Sequence, residues 1–327
     1  MKNKNDSNDT IKDNQVSSRM RMDIVSEIIS FDKKTGIVKL ISMPDPRRYE
    51  WVEREGKDYL YDKFDKVYFP KEFFVDIVKF ITEKLPAPFQ SPMIENADKY
   101  VESRSPFIKK MLAGISIYPS TFEDKSEDFL QSLSKDKLGF VILSLDIVGS
   151  TKLSTNIDPK LYSRLISTIL FELSEIIPKF HGHVLKYTGD GIIAYFPEPS
   201  FIIKNDLAID CALTLRKLIY KTLNPILGEQ GFFPIGIRIG LDAGEAYIET
   251  IGSPETKQQK DIIGAVVSLA SKIQARAKPG EIYVGDTVLR NLHTIWRQIC
   301  EPVNLGSNWD YKYHNGNIYK VHKVNIL

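Results

Sequence analysis

Apolar residues between positions 139 and 324 recur every second residue along short runs and every third or fourth along longer ones, so the chain alternates between strands and helices there. Residues 139–148 read as a strand. Leu161, Leu165, Ile169, Leu173 and Ile176 fall on one face of a helix spanning 159–180. Residues 184–187 and 192–196 read as two strands joined by Thr188-Gly189-Asp190-Gly191, a connection so short that the strands must run antiparallel. A second helix covers 206–223. Residues 235–243 and 245–250 then read as a second hairpin turning at Gly244, followed by a helix over 266–277 and strands at 281–284 and 318–324. The order β-α-β-β-α-β with extensions predicts an α+β, ferredoxin-like domain, a fold that by itself names no function.

Upstream the pattern is different. Alternating residues on both sides of Asp32-Lys33-Lys34-Thr35-Gly36 predict a hairpin over 22–44, and Trp51, Tyr59, Tyr61, Phe64, Val67, Tyr68 and Phe69 supply a small β core. Residues 71–84 have helical spacing that stops before Pro86, and a second amphipathic run covers 94–112. The polar, acidic stretch 119–137 reads as a linker or a loosely packed coupling helix. Residues 1–20 have almost nothing to bury and are expected to be a disordered leader. The expected division is thus a leader (1–20), a small mixed N-terminal domain of unknown role (21–118), a linker (119–137) and the ferredoxin-like domain (138–327).

Composition narrows the function classes. Lys and Arg total 44 against 42 acidic residues, and a net charge of +2 gives no electrostatic case for nucleic acid or an anionic membrane. The two cysteines, Cys211 and Cys300, support neither a disulfide framework nor a structural zinc site. No stretch reaches the 18 apolar residues of a membrane span, and the first twenty residues lack a signal peptide's apolar core. A reducing cytoplasm is the expected location.

The chemistry is expected at two aspartates. Asp146, in Leu-Asp-Ile-Val-Gly-Ser-Thr, and Asp190, in Tyr-Thr-Gly-Asp-Gly, each stand where an apolar strand gives way to a glycine-bearing turn. Two carboxylates brought together beside open backbone suit Mg²⁺, which takes one or two carboxylates, keeps several waters and accepts substrate phosphate. With these two motifs, residues 139 to roughly 290 resemble the catalytic domain of class III nucleotidyl cyclases, the adenylate and guanylate cyclase family. The resemblance implies that Asp146, Asp190 and the main-chain carbonyl of Ile147 hold two Mg²⁺ or Mn²⁺ ions per site. It also implies that the amides of Gly149, Ser150 and Thr151 cradle the triphosphate. Lys186 and Asp261 match the family's base-reading positions and are complementary to adenine, lysine donating to N1 and aspartate accepting from the exocyclic amine.

The match departs from the family at the transition-state residues. Where the pattern is Asn-Val-Ala-Ser-Arg, this chain has Ser268-Leu269-Ala270-Ser271-Lys272. Ser268 and Lys272, four apart on one helix face, take the catalytic positions, with shorter reach than asparagine and without arginine's fork. No lysine precedes Gly306, where many members carry Lys-Gly. Arg238 is expected to be structural, and His181 and His183 to lie on the surface. The resemblance implies an adenylate cyclase acting on ATP as a homodimer with shared sites. The alternatives are a cyclase for guanine or for a pyrimidine, as in the bacterial antiviral cyclases, and a degenerate module that binds nucleotide without turnover.

Overall fold

The strand that carries Asp146 is the centre of the main sheet. In a computed structural model, which describes residues 22–31, 38–76, 93–115, 125–133, 137–197, 203–313 and 315–326, contacts divide the chain into two units, Met1–Asp45 and Pro46–Leu327. The first unit contains β1 (Ile24–Phe31) and β2 (Val38–Pro44), an antiparallel pair with an irregularity between Ile28 and Ser30. The expected hairpin is therefore present, while its turn and the leader lie outside the described residues.

The second unit opens with β3 (Tyr49–Arg54), β4 (Lys57–Asp62) and β5 (Val67–Pro70), a three-stranded antiparallel sheet. Buried Arg48 is satisfied by Asp62 and Asp65, and Arg297 reaches the other oxygen of Asp65 at 2.5 Å. A buried guanidinium is tolerable only with such partners. A helical stretch occupies 71–76, and the remainder of the expected 71–84 helix lies outside the described residues. The amphipathic run 94–112 forms two helices, α1 (Ala97–Ser103) and α2 (Ser105–Leu112), with Pro106 near the start of the second, where a missing N–H costs nothing. Within the stretch 119–137, α3 (Lys125–Ser132) is helical.

Next come β6 (Lys137–Val148), α4 (Ser150–Asn156), α5 (Pro159–Ile176), β7 (His183–Tyr187), β8 (Ile192–Phe196), α6 (Lys204–Lys217), β9 (Gly236–Ser253), β10 (Lys257–Ile263), α7 (Ala265–Arg276), β11 (Ile282–Gly285), β12 (Cys300–Pro302) and β13 (Val321–Val324). The sheet order is β12-β13-β11-β9-β6-β8-β7, with β10 paired to β9. Its core, β9-β6-β8-β7, is antiparallel throughout, the ferredoxin-like arrangement.

Strand alternation splits β6 between two cores. Val141, Leu143, Leu145 and Ile147 pack with Leu165, Ile169 and Leu173 of α5 and Ala208, Cys211 and Leu215 of α6. Val101, Ile108 and Leu112, from α1 and α2, join this same core. Leu138, Phe140 and Ile142 face the other way, against Val266 and Ala270 of α7 and Leu130 of α3. Each such buried side chain contributes about 1.5–3 kcal/mol relative to exposure. Asp146, in phase with Phe140 and Ile142, therefore shares the α7 face of the sheet.

Three expectations need correction. Gly244 is no turn: β9 runs unbroken through it, Gly244 pairing with Phe140, and the hairpin to β10 turns at 253–257 instead. Glycine is there for space, since a Cβ would meet Val266 Cβ at 3.3 Å. The helix expected over 206–223 is α-helical to Lys217 and then widens into a π-helix, Leu218–Leu223. His183 is not a surface residue either. Its ring stacks on Phe129 at 3.9 Å and Tyr195 at 5.1 Å, and burial pushes its pKa down to about 4.

That last packing predicts an acid sensitivity. A histidine held neutral in the fold but titrating near 6.5 when unfolded contributes stability above about pH 6.5, lost as pH falls toward 4. His183→Phe, which keeps the stack and cannot charge, is expected to move the acid unfolding midpoint to lower pH, measured by circular dichroism. An unchanged midpoint would show that this ring carries no such linkage.

Candidate active site

Asp146 follows Leu145 on β6, and Leu145 pairs with Ile192 on β8, so the turn that ends at Gly191 lies against it. The turn is closed by the Thr188 N–H donating to the Gly191 carbonyl at 2.9 Å. A Cβ at Gly191 would stand 2.7 Å from the Leu145 carbonyl oxygen and 3.6 Å from Asp146 Oδ1. Only glycine permits that approach, and it brings the Asp190 turn beside the Asp146 carboxylate. Both aspartates are part-buried, and Asp146 retains 26% exposure.

Arg238, on β9, pairs in register with Asp146 and donates to its Oδ2 from Nε at 2.9 Å and from Nη2 at 2.7 Å. The contact with Asp146 was not among the expectations for Arg238. The signal was present in the sequence, because alternation put Arg238 on the polar side of a strand, but the identity of the facing strand required the sheet. Past Asp146 the chain turns at Gly149, whose φ of 88° lies in the left-handed region and whose Cα faces open space. Ser150 is buried and Thr151 exposed, at the start of α4.

The donor set fits a hard divalent cation. Two carboxylates and a main-chain carbonyl next to open backbone are oxygen ligands of the kind Mg²⁺ and Mn²⁺ accept. Among the described residues no group of three His, Cys, Asp or Glu side chains converges. Any remaining ligands would come from the Ile147 carbonyl, water or substrate.

A second cluster stands on the same face of the sheet. Lys186 follows a bulge in β7 and pairs with Ile193, which belongs to the α7-side core. Its Nζ lies 2.5 Å from Asp261 Oδ2, on β10. Asp261 is 2% exposed, and its Oδ1 accepts from the Ile262 N–H at 2.8 Å, so the carboxylate is held from two sides. Ser268 and Lys272 are exposed on α7, the helix that covers this face.

The adenylate and guanylate cyclase catalytic domain model matches residues 134–308. The chain belongs to that family. Relatives include a cytidylate cyclase of Escherichia coli, 29% identical over 163 residues, covering 47% of this chain and 35% of the relative. An adenylate cyclase of Anabaena cylindrica is 29% identical over 160 residues, covering 46% and 30%. The chain thus spans about a third of the length of these relatives. The adenylyl cyclase CyaB from P. aeruginosa has a similar fold, with a TM-score of 0.51 and 23% identity over 60% of this chain and 97% of that one. Divalent metals are general in the cyclase family, and its catalytic domains bind nucleotide and typically dimerise. No helix among the described residues is long and apolar enough to cross a membrane.

Proposed function

We propose that this cyclase domain converts ATP to 3′,5′-cyclic AMP and pyrophosphate. The observation that carries the reading is that one face of one sheet bears both an oxygen-rich cluster, Asp146 with the Asp190 turn, and a fixed donor and acceptor pair, Lys186 with Asp261. In the reaction the ribose 3′-oxygen forms a bond to the α-phosphorus, the bond from that phosphorus to the bridging oxygen breaks, and the hydroxyl proton departs to solvent. Positioning and charge neutralisation supply most of the catalysis in such transfers.

Each residue has a stated part. Lys186 donates to adenine N1 and Asp261 accepts from its amine, a pattern that guanine's edge opposes. The amides of Gly149, Ser150 and Thr151 receive phosphate oxygens, and Arg238 holds the Asp146 carboxylate from β9. Asp146, Asp190 and the Ile147 carbonyl would hold Mg²⁺ or Mn²⁺, two per site, which when bound supply neutralisation of the triphosphate and a more acidic 3′-hydroxyl. Ser268 hydrogen-bonds the ribose, and Lys272 places a point charge near the α-phosphate.

The active species is a head-to-tail homodimer in which each site takes its oxygen cluster from one protomer and its base-reading pair from the other. Mixing Asp146→Ala with Lys186→Ala protein is therefore expected to restore about a quarter of wild-type activity, because half the dimers are mixed and each has one intact site of two. Absence of any recovery in verified mixed dimers would defeat shared sites. For the reaction itself, purified protein is incubated with ATP or GTP and Mg²⁺ or Mn²⁺, and products are resolved by mass. Cyclic AMP is expected to dominate; cyclic GMP as the main product, or no cyclic product, would overturn the reading.

A further inference from the structure

We infer that the base-reading pair recognises an edge rather than a purine, so that CTP is a second substrate while GTP and UTP are both rejected. The inference rests on the cyclase reading above and deepens it.

The pair presents one donor, Lys186 Nζ, and one acceptor, Asp261 Oδ2, 2.5 Å apart. On adenine the matching groups are a ring nitrogen, N1, and the amine on the next carbon. Cytosine carries the same two groups in the same relation, N3 and its 4-amine. In both bases the two nitrogens share one bonded carbon and so lie about as far apart as Nζ and Oδ2. Guanine and uracil present the reverse, a ring N–H beside a carbonyl. Asp261 cannot adapt to that reversal, since it is buried and its other oxygen is already held by the Ile262 N–H. A guanine or uracil carbonyl would face the Asp261 carboxylate, and its ring N–H would face an ammonium.

Nothing in this pair touches the five-membered ring of a purine, which is fused away from the edge being read. Ring size enters only through the sugar, because a pyrimidine brings its ribose closer to the pair by roughly the width of that extra ring. The residues assigned to the ribose and α-phosphate tolerate such a shift. Ser268 is short and exposed, so a ribose displaced from it keeps contact through water, and Lys272 is exposed at the end of a flexible four-carbon stem. With CTP the 3′-oxygen bonds the α-phosphorus, pyrophosphate leaves, and cyclic CMP forms with the same balance as for ATP.

The test uses the full chain with each of the four triphosphates at equal concentration and Mn²⁺, products being quantified by mass. Cyclic CMP is expected within about tenfold of cyclic AMP, with cyclic GMP and cyclic UMP each about a hundredfold below cyclic AMP, the discrimination expected of a mismatched bidentate edge. The double variant Lys186→Glu/Asp261→Ser inverts the donor and acceptor. It is expected to lower the ATP and CTP products together and raise the GTP and UTP products together. Cyclic AMP accompanied by no more cyclic CMP than cyclic GMP would overturn the inference while leaving the adenylate cyclase reading intact.

No cyclic product from any triphosphate would sink the adenylate cyclase reading instead. Displacement of a fluorescent ATP analogue would then decide the edge question on its own. Equal competition by ATP and CTP, against weak competition by GTP and UTP, supports edge reading; competition by CTP as weak as by GTP refutes it. If the double variant does not fold, judged by circular dichroism, the wild-type product ratios and the displacement assay still settle the matter.

Discussion

Asp146→Ala and Asp190→Ala are each expected to lower cyclic nucleotide formation about a thousandfold or more while leaving the protein folded. The loss follows from removing half of an oxygen cluster whose charge a triphosphate site depends on, and groups of this kind are commonly worth a hundred- to a thousandfold or more in rate. Folding is spared because Asp146 is one quarter exposed and its ion-pair partner Arg238 is one third exposed. Arg238 left alone is solvated, and a pair of that exposure contributes about 1 kcal/mol or less. The measurement is product by mass beside thermal melting of the same samples. Cyclisation at a tenth of the wild-type rate or better in Asp146→Ala would remove the cluster from the reaction.

Arg104→Ala is expected to produce the largest loss of stability. Arg104, between α1 and α2, makes a bidentate contact with Glu172 of α5, Nε to Oε2 at 2.7 Å and Nη2 to Oε1 at 2.9 Å. Glu172 is 1% exposed and Arg104 15%. Removing the arginine strands a buried carboxylate, and breaking such a pair from one side costs about 3–5 kcal/mol. The melting temperature is expected to fall on the order of 10 °C. Replacing both partners, as Arg104→Met/Glu172→Leu, is expected to recover most of that fall, because a buried pair exchanged for apolar side chains is near neutral. A single variant that melts within about 1 °C of wild type would show that the contact does not hold α1 and α2 to the domain.

The parts of the fold that were legible depended on short-range rules. Alternation over 139–148 and 192–196 and the four-residue connection Thr188 to Gly191 yielded β6, β7 and β8 nearly to the residue. The helical spacing of Leu161 through Ile176 placed the start of α5, which ends at Ile176 and tightens into a 3-10 turn over Ile177–Phe180, inside the expected span. Gly244 misled because a glycine in a strand reads the same whether it turns the chain or clears a neighbour, and the neighbour, Val266, is 22 positions away in the sequence and belongs to another element. His183 misled likewise. Its neighbour Gly182, at a helix-to-strand turn, suggested a surface position, while Phe129 arrived from α3 to cover it.

What the linear order of residues determined, then, was the set of elements and the two aspartates near glycine-bearing turns, because propensity, periodicity and turn geometry act over a few neighbours. Only the tertiary structure decided which side chains meet. Arg238 reaches Asp146 across 92 positions and Lys186 reaches Asp261 across 75. Strand register set both encounters, and register arises from the burial of two opposed sheet faces at once, a property of the assembled sheet that no single segment possesses.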